Sequence, residues 1–351
     1  MKCLRKSALV LCGFILILAS VSPTPPARAQ AAPGLDRNIL IADRGNNRII
    51  EVTPDKQIVW EYHFNGLPPG YGADDAFFSP DNSQVIANLE FANIVVIIDY
   101  ATRKIVWQYG TTIPGGGLNQ VYRPDDSYLL PDGNVTIADI GNCRVIVVSP
   151  ARKIVRQYGR TDQCLADPGY YDEPDGATPL PNGNILISAI VSRRISEVTP
   201  DGRIVYSFVG PALYPSDANP TWRGTIIVAD YLPNGVIYEL GRTGQVLWQY
   251  GPFSPLNSQH RDLDRPSLAV MLPNGNVIAS DDYHHRIVVI DKQSQEIVWQ
   301  YGHTGIFGDG PDYLYAPDGL DWRHNGEATA AGIASPEATA QPIAPVPPSS
   351  G

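Results

Sequence analysis

Residues 272–302, LPNGNVIASDDYHHRIVVIDKQSQEIVWQYG, are the pattern from which most of this chain is built. Five other segments are imperfect copies of it, and the copies begin near residues 38, 83, 134, 184, 225 and 276. The period of about 41 to 51 residues is typical of propeller blades rather than of helical repeats. The sequence therefore contains six related units.

Each unit predicts four short antiparallel strands. In the first copy, the β-branched residues 38–42 indicate a strand, the polar stretch 43–47 a tight turn, and residues 48–52 a second strand. Residues 58–62 form a third strand with the recurring pattern Ile-Val-Trp-x-Tyr, and a further segment ends in Pro-Asn-Gly or Pro-Asp-Gly, a hairpin turn. The fold class is an all-β, six-bladed β-propeller with four antiparallel strands per blade.

Ring closure is predicted from the two ends of the repeat array. No Pro-Asp-Gly segment precedes residue 38, and residues 317–326, PDGLDWRHNG, match such a segment with no second strand after them. Pairing of this C-terminal strand with the N-terminal blade would complete the sixth blade and remove the open sheet edges.

The remaining segments complete the domain organisation. Residues 1–29 combine a basic start, an apolar run and Ala27-Arg28-Ala29, which predicts a secretory signal peptide and a secreted or periplasmic protein. The apolar run is shorter than the ~20 residues of a membrane span, and no other span is expected. Residues 30–37 are a short N-terminal lead, residues 38–326 the propeller, and residues 327–351 a disordered Ala/Pro/Ser-rich tail.

Charge limits the classes of partner. Loss of residues 1–29 removes four cationic side chains and no acidic ones, so the formal charge changes from −10 to −14. Such an acidic surface argues against nucleic acid as a partner. Two cysteines remain in the mature chain, Cys143 and Cys164, in turns on one face of the propeller, and we expect them to form a disulfide.

The repeat motifs carry a family resemblance. The segments at 43–49, 139–145 and 281–287 share Asp-x-x-x-x-Arg and resemble the NHL repeat, whose members form six-bladed propellers. The Ile-Val-Trp-x-Tyr-Gly strands are similar to quinoprotein-like and arylsulfotransferase-like propeller repeats of exported bacterial proteins. The resemblance covers residues 38–326. It implies the fold more strongly than any chemistry, because one propeller scaffold carries many functions.

Two recurring residue types have structural interpretations. The acid and the base of Asp-x-x-x-x-Arg end one strand and begin the next, so Asp43/Arg48, Asp139/Arg144 and Asp281/Arg286 can join each hairpin by an ion pair. The tryptophans of the outer strands are expected to pack blade against blade, rather than to form a platform for sugars. They are Trp60, Trp107, Trp248 and Trp299.

Candidate ligand residues fall into two rings at one mouth of the channel. Counted from the channel, the strand that leads into each Asp-x-x-x-x-Arg turn is the second strand of its blade. The last residues of these second strands provide channel-mouth ligands at Asp43, Asn88, Asp139, Asp230 and Asp281, with Asp282 beside them. The first turns of the innermost strands provide a second ring, formed by Asp74, Asp125, Asp175, Ser216, Ser267 and Asp318. Oxygen-rich rings suit hard cations such as calcium. The alternative is that these residues cap strands and turns.

The histidines suggest a second kind of site. His284 and His285 occupy the turn of the sixth unit, and His63, His260 and His303 fall in the same sector and on the same face. With Asp281, the pair His284 and His285 is a candidate site for zinc or a similar metal, or for acid–base or nucleophilic catalysis. The spacing matches no strong metal motif, and solvated loop histidines are the alternative.

Three classes of function remain. The first is a binding module whose long loops, residues 64–75, 111–123, 160–173 and 252–265, present a surface for a protein, a glycan or a small molecule. The second is an enzyme resembling the arylsulfotransferases or the NHL-type lyases. The sulfotransferases place His before Asp where this chain has Pro124-Asp125 and Pro174-Asp175. A quinone-dependent dehydrogenase is disfavoured by the chain length and by the lack of a vicinal cysteine pair.

Overall fold

The structure is a computed structural model that describes residues 34–254 and 260–324. The predicted signal peptide at 1–29 and the predicted tail at 327–351 lie outside these residues. The described chain forms six four-stranded antiparallel sheets, which confirms the six-bladed β-propeller. A further two-stranded pair accompanies the fifth sheet.

The first four blades follow one another along the chain. Blade 1 takes three strands from the start of the described region: β1 (Ile39–Asp43), β2 (Arg48–Val52) and β3 (Ile58–His63). Blade 2 contains β4 (Ala76–Phe78), β5 (Gln84–Leu89), β6 (Ile94–Asp99) and β7 (Lys104–Gly110). Blade 3 contains β8 (Pro124–Leu129), β9 (Val135–Asp139), β10 (Arg144–Val148) and β11 (Ile154–Gly159). Blade 4 contains β12 (Pro174–Pro179), β13 (Ile185–Ala189), β14 (Arg194–Val198) and β15 (Ile204–Val209).

Blade 5 departs from this regular order. Its sheet is formed by β16 (Pro215–Pro220), β17 (Ile226–Asp230), β19 (Ile237–Leu240) and β20 (Val246–Tyr250). The short strands β18 (Pro233–Gly235) and β21 (Leu263–Asp264) pair with each other outside that sheet. Blade 6 is regular, with β22 (Ala269–Met271), β23 (Val277–Asp281), β24 (Arg286–Asp291) and β25 (Glu296–Gly302).

The last strand, β26 (Pro317–Trp322), closes the ring as predicted. It runs antiparallel to β1, with Ile39 opposite Trp322 and Ile41 opposite Leu320. It is also joined to blade 2, where the Phe78 N–H donates to Asp321 Oδ2 at 2.9 Å. Blade 1 therefore has no free inner edge.

Three of the four predicted outer-strand tryptophans are hydrogen-bonded to the neighbouring blade, whereas Trp248 Nε1 is buried without a hydrogen-bond partner among the described residues. Trp60 Nε1 donates to the carbonyl of Tyr100 at 2.8 Å, and Trp107 Nε1 donates to that of Pro150 at 3.1 Å. Trp299 Nε1 donates across the closure to the carbonyl of Pro54 at 3.0 Å. In each case the acceptor lies in a turn of the next blade, so the indole fixes the spacing of two sheets.

Short turns between the second and third strands face the channel mouth. Within the described ranges the helices are 3-10 turns of three residues, at Arg44–Asn46, Glu90–Ala92, Ile140–Asn142 and Asp282–His284, and none is long and apolar enough to cross a membrane. Each ends in a left-handed residue with φ between 52° and 57°, at Asn47, Asn93, Cys143 and His285. Asparagine tolerates this conformation better than most residues, which explains its recurrence.

Cys143, one of these left-handed residues, forms the predicted disulfide with Cys164. The Cα atoms of the two cysteines are 5.1 Å apart. The bond ties the loop after β11 to the turn between β9 and β10, on the face of the propeller that carries the channel mouth.

Candidate functional site

The aspartates that end the second strands are mostly engaged in buried ion pairs. Asp43 Oδ2 accepts from Arg48 Nε at 2.6 Å, and the matching distances to Arg144 and Arg286 are 2.8 Å and 2.7 Å for Asp139 and Asp281. All three carboxylates have no exposed surface. The structure thus contains the hairpin ion pairs that the Asp-x-x-x-x-Arg spacing predicted.

The same arginines also position the loops of the channel-mouth face. Arg48 donates from Nη1 to the carbonyl of Asp309 at 2.9 Å and from Nη2 to that of Tyr313 at 3.1 Å, so it holds a loop of blade 6. Arg286 holds the loop from blade 5 in the same way, through the carbonyls of His260 and Asp262. Burial raises the pKa of Asp43 and of Asp139, although the adjacent guanidinium groups oppose this shift.

Asn88 and Asp230 differ from the other members of this ring. Leu89, not Asn88, pairs with the first residue of the third strand and precedes the turn, so the alignment of Asn88 with Asp43 is wrong by one residue. The error arises because blade 2 has leucine at this position, where blades 1, 3, 5 and 6 have aspartate, and the polar Asn88 stands directly before it. Asp230 accepts from the N–H groups of Leu213 and Tyr214 at 3.1 Å and 2.8 Å.

His284 and His285 face different surroundings. His284 Nδ1 lies 3.1 Å from Asp281 Oδ2, the oxygen that also accepts from Arg286, and its Nε2 lies 3.9 Å from Asp262. His285 Nδ1 accepts the N–H of Ala316 at 3.2 Å, and its ring packs edge-on against Tyr315. The two imidazoles therefore have separate hydrogen-bond partners.

The surroundings shift the two imidazole pKa values in opposite directions. Burial, the largest single influence, disfavours the His284 cation, but the hydrogen bond to Asp281 and the charges of Asp281 and Asp262 together raise the pKa of His284. Burial lowers the pKa of His285. Of the described residues, the sets of three that come close enough to share a metal ion consist of carboxylates. Metal binding and catalysis by His284, His285 and Asp281 stay predictions.

The second predicted ring surrounds a cavity at the channel mouth. The cavity has a volume of about 180 Å³, and five of the six predicted ring residues line it: Asp74, Asp125, Asp175, Ser216 and Asp318. The sixth, Ser267, donates to Asp282 Oδ1 at 2.9 Å beside Arg44, which is itself part of the wall. The cavity wall contains none of the residues predicted for the first ring and beside it, namely Asp43, Asn88, Asp139, Asp230, Asp281 and Asp282.

The residues that follow the second strands complete the cavity, and sequence reasoning missed them. The cavity is also lined by Arg44, Glu90, Phe91, Arg123, Tyr214, Tyr231 and Tyr283. Of these, Arg44, Glu90 and Tyr231 each occupy the first position after their second strand. A signal was present, because the copies differ at that position while the preceding aspartate recurs in four of the six.

The cavity's two arginines are already paired with carboxylates. Arg44 forms ion pairs with Asp74 and Asp318, and its Nη2 lies 3.7 Å from Asp282. Arg123 Nε donates to Glu90 Oε1 at 2.7 Å. Burial disfavours the Arg44 cation, yet the surrounding carboxylates outweigh it and raise its pKa.

A deeper layer of carboxylates lies below the ring. In β8 the pairing with β9 shifts between Pro124 and Ser127, a bulge that spans Asp125 and Asp126. A similar shift in β16 spans Ser216 and Asp217. Bulges break the alternation of side chains between the two faces of a strand, so successive residues can both approach the channel. Asp126 and Asp217 join Asp75 in a cluster whose ligand atoms lie within 4.8 Å of one another.

The concentration of acidic groups perturbs their protonation. Burial, the largest cause, raises the pKa of Asp175 to about 6 and those of Asp126 and Glu90 to about 7. Burial followed by neighbouring carboxylates raises the pKa values of Asp75, Asp125 and Asp217 well above the usual range. At neutral pH this site therefore holds protons or attracts cations.

Comparison with known proteins supports the fold and leaves the function open. No protein-family model and no curated protein matches the chain. A protein of unknown function from Bacteroides caccae has a TM-score of 0.59 at 16% identity, over 81% of this chain and 98% of that one. Virginiamycin B lyase from Staphylococcus aureus has a TM-score of 0.47 at 19% identity, over 66% and 70% of the two chains. The likeness to the Bacteroides caccae protein extends to the fold alone.

Proposed function

We propose that this protein is an exported binding module whose channel-mouth cavity holds a small cationic group, such as an ammonium or a guanidinium. The observation that carries the proposal is that Asp125 and Asp175 have no ion-pair partner in the described chain. Both line the cavity, and no described lysine, arginine or histidine forms an ion pair with either. A ligand cation would supply the missing counter-charge.

The walls of the cavity also suit a cation. Tyr214, Tyr231 and Tyr283 line it, and Phe91 stands at its rim with 48% of its surface exposed. Aromatic faces attract cations within about 6 Å of the ring centroid. Glu90 and Asp175 add acceptors on the same wall. The wall therefore combines carboxylates with aromatic rings, the surroundings that bind ammonium and guanidinium groups.

Size restricts what can enter. The volume of about 180 Å³ is below the roughly 300 Å³ at which pockets for drug-sized ligands begin. The cavity is thus large enough for a free small amine, or for one cationic group of a protein or a glycan that rests on the surrounding loops.

Calorimetric titration tests this binding function. At pH 8, where Asp175 and Glu90 are ionised, we expect ethylammonium and guanidinium to bind, and ethanol and urea, which have similar shapes without the charge, to bind at least about 10-fold more weakly. Asp125→Asn and Asp175→Asn should each weaken binding of the cation by a similar factor. Asp132→Asn, in an exposed turn of blade 3, is the matched control. Equal binding of charged and neutral probes would contradict the proposal.

A second candidate is an enzyme with His284 as its acid–base group, of the arylsulfotransferase-like or lyase-like class. The observation that favours it is the 3.1 Å contact of His284 Nδ1 with buried Asp281, which orients the ring as in many catalytic Asp–His pairs. Elemental analysis of the wild type and of a His284→Ala/His285→Ala double variant tests it, with the exposed His63→Ala as control. Stoichiometric zinc that the double variant loses would support the enzyme. Zinc content that is unchanged, or absent from the wild type, would oppose a metalloenzyme.

The proposal also includes export. This part rests on the sequence of residues 1–29 and not on the fold. We expect a mature protein that begins after Ala29 when the full chain is produced in a bacterial host and the exported fraction is sequenced from its N-terminus. Replacement of Ala27 and Ala29 by tryptophan should block the cleavage. An exported fraction that still begins at Met1 would contradict a cleaved signal peptide.

A further inference from the structure

We propose that Asp75, Asp126 and Asp217, together with the amide oxygen of Asn88, form a buried site for a hard divalent cation beneath the channel-mouth cavity. The site is separate from the predicted histidine site. It is also separate from the cationic group proposed above, which would be held by Asp125 and Asp175.

The geometry of the three carboxylates suits one shared ion. They come from three blades: Asp75 directly precedes β4, while Asp126 and Asp217 lie in the bulged starts of β8 and β16. One carboxylate oxygen from each lies within 4.8 Å of the others. Two oxygens on opposite sides of a calcium ion, each about 2.4 Å from it, are about the same distance apart.

Two fully buried oxygens at this point have no hydrogen-bond partner among the described residues. Asp126 accepts the Ala177 N–H through Oδ2 at 2.9 Å, and its Oδ1 has no donor. Asn88 Nδ2 lies 3.4 Å from Asp75 Oδ2, and its Oδ1 likewise has no donor. A buried acceptor without a donor costs about 1–3 kcal/mol. A cation in the cluster would satisfy Asp126 Oδ1. Asn88 turns Nδ2 toward Asp75, so its Oδ1 would join the same ion once the amide is turned over.

The described part of the chain supplies no paired counter-charge to this cluster. Within the described ranges, no lysine, arginine or histidine forms an ion pair with Asp75, Asp126 or Asp217, and the nearby Arg44 is paired with carboxylates of the upper ring. Three buried carboxylates that face one another repel strongly in a low-dielectric interior. An external divalent ion is the simplest compensation when they are ionised.

The glycines of the other blades make room for this cluster. Gly176 and Gly319 take the position of Asp126 in blade 4 and in blade 1, where Gly319 lies in the closing strand β26. A Cβ atom on Gly319 would lie 2.2 Å from Asp75 Oδ1, and one on Gly176 would lie 3.3 Å from Asp217 Oδ1. Side chains at these two positions would crowd Asp75 and Asp217, so glycine at both positions leaves room for the carboxylate cluster.

The donor set defines the class of ion. Carboxylate and amide oxygens favour hard cations such as calcium, magnesium or manganese, whereas zinc and copper prefer sites with nitrogen or sulfur ligands. Calcium tolerates irregular coordination by six to eight oxygens, and magnesium requires a near-octahedral arrangement. Ligands contributed by several independent blades suit the more tolerant ion, and we therefore expect calcium to bind best.

Titration of the chelator-treated full-length protein tests the site. We expect one equivalent of calcium to bind by calorimetry, magnesium to bind more weakly, and saturating calcium to raise the Tm by about 5 °C or more. Asp126→Asn and Asp217→Asn should each weaken calcium binding at least 10-fold. Asp321→Asn is the matched control, because Asp321 is a carboxylate of an innermost strand, hydrogen-bonded to the Phe78 N–H, outside the cluster.

Terbium luminescence provides a second test that needs only the wild-type protein. Terbium replaces calcium in oxygen sites and is excited through a nearby tyrosine, and Tyr128 interacts electrostatically with Asp126, Asp217 and Asp75. Calcium-reversible terbium emission from the wild type is the expected result. Absence of calcium binding by the wild type would overturn the proposal.

The variants also separate this site from the upper one. Retention of calcium by both Asp126→Asn and Asp217→Asn, with loss in Asp125→Asn, would overturn the proposal and assign the ion to Asp74, Asp75 and Asp125, the other close carboxylate set. Failure of the cavity to bind amines would leave calcium binding unaffected, so the two proposals fail separately.

Discussion

Two rings of aspartates in this propeller have opposite electrostatic surroundings. Asp43, Asp139 and Asp281, at the ends of second strands, are each paired with a buried arginine five residues later. Asp75, Asp126 and Asp217, at the starts of innermost strands, are equally buried and have no such partner in the described chain. The same side chain is thus structural where the repeat supplies a cation, and available for a ligand where it does not.

The largest expected effect comes from breaking a compensated pair. Asp139→Ala leaves the guanidinium of Arg144, which is 2% exposed, without its carboxylate. Loss of one partner of a buried pair typically costs about 3–5 kcal/mol, so we expect a fall of that size in the free energy of unfolding. Urea unfolding at pH 7 measures it, with the exposed Asp132→Ala as control. Similar stability of the two variants would show that the ion pair is dispensable.

The buried carboxylates of the cavity and of the cluster below it predict an unusual dependence of stability on pH. The raised pKa values, about 6 for Asp175 and about 7 for Asp126 and Glu90, mean that the folded state holds protons more tightly than the unfolded state. Stability from these groups is therefore greatest at low pH and is lost as the pH rises through their folded pKa values. For chelator-treated protein we expect the free energy of unfolding to fall by at least about 2 kcal/mol between pH 5 and pH 8.

Asp126→Asn sharpens this pH prediction, because it removes one of the titrating groups without changing the shape of the side chain. The variant should lose less stability than the wild type between pH 5 and pH 8 in urea unfolding without metal. A flat wild-type profile, or one that rises with pH, would contradict the raised pKa values.

The smallest effect is expected from completing a pair that blade 4 lacks. Ala189 stands opposite Arg194 in the register that Asp43 and Arg48 occupy in blade 1, and Arg194 Nε is buried without a hydrogen-bond partner in the described chain. Ala189→Asp should raise the free energy of unfolding by about 1 kcal/mol through the new pair. The gain should vanish in the Ala189→Asp/Arg194→Met double variant. A loss of stability on Ala189→Asp alone would show that blade 4 cannot accommodate the pair.

The sequence was sufficient for the fold because the fold is periodic. β-Branched runs, Pro-Asn-Gly turns and the unmatched segment at 317–326 predicted the blades and their closure, and the alignment of innermost strands predicted the ring around the cavity. Asp126 and Asp217 were missed because bulges turn adjacent residues toward the channel, which strict alternation does not anticipate. Arg44 was missed because its direction depends on the 3-10 turn that follows β1.

The pairing of β26 with β1 has a consequence for how the protein is made. The two strands are separated by almost the whole propeller, so the ring cannot shut until the last strand has been synthesised. Contacts between such distant segments form slowly, because a long loop must close first. Blade 1 therefore stays incomplete, and its inner edge unpaired, until nearly the whole propeller has been made.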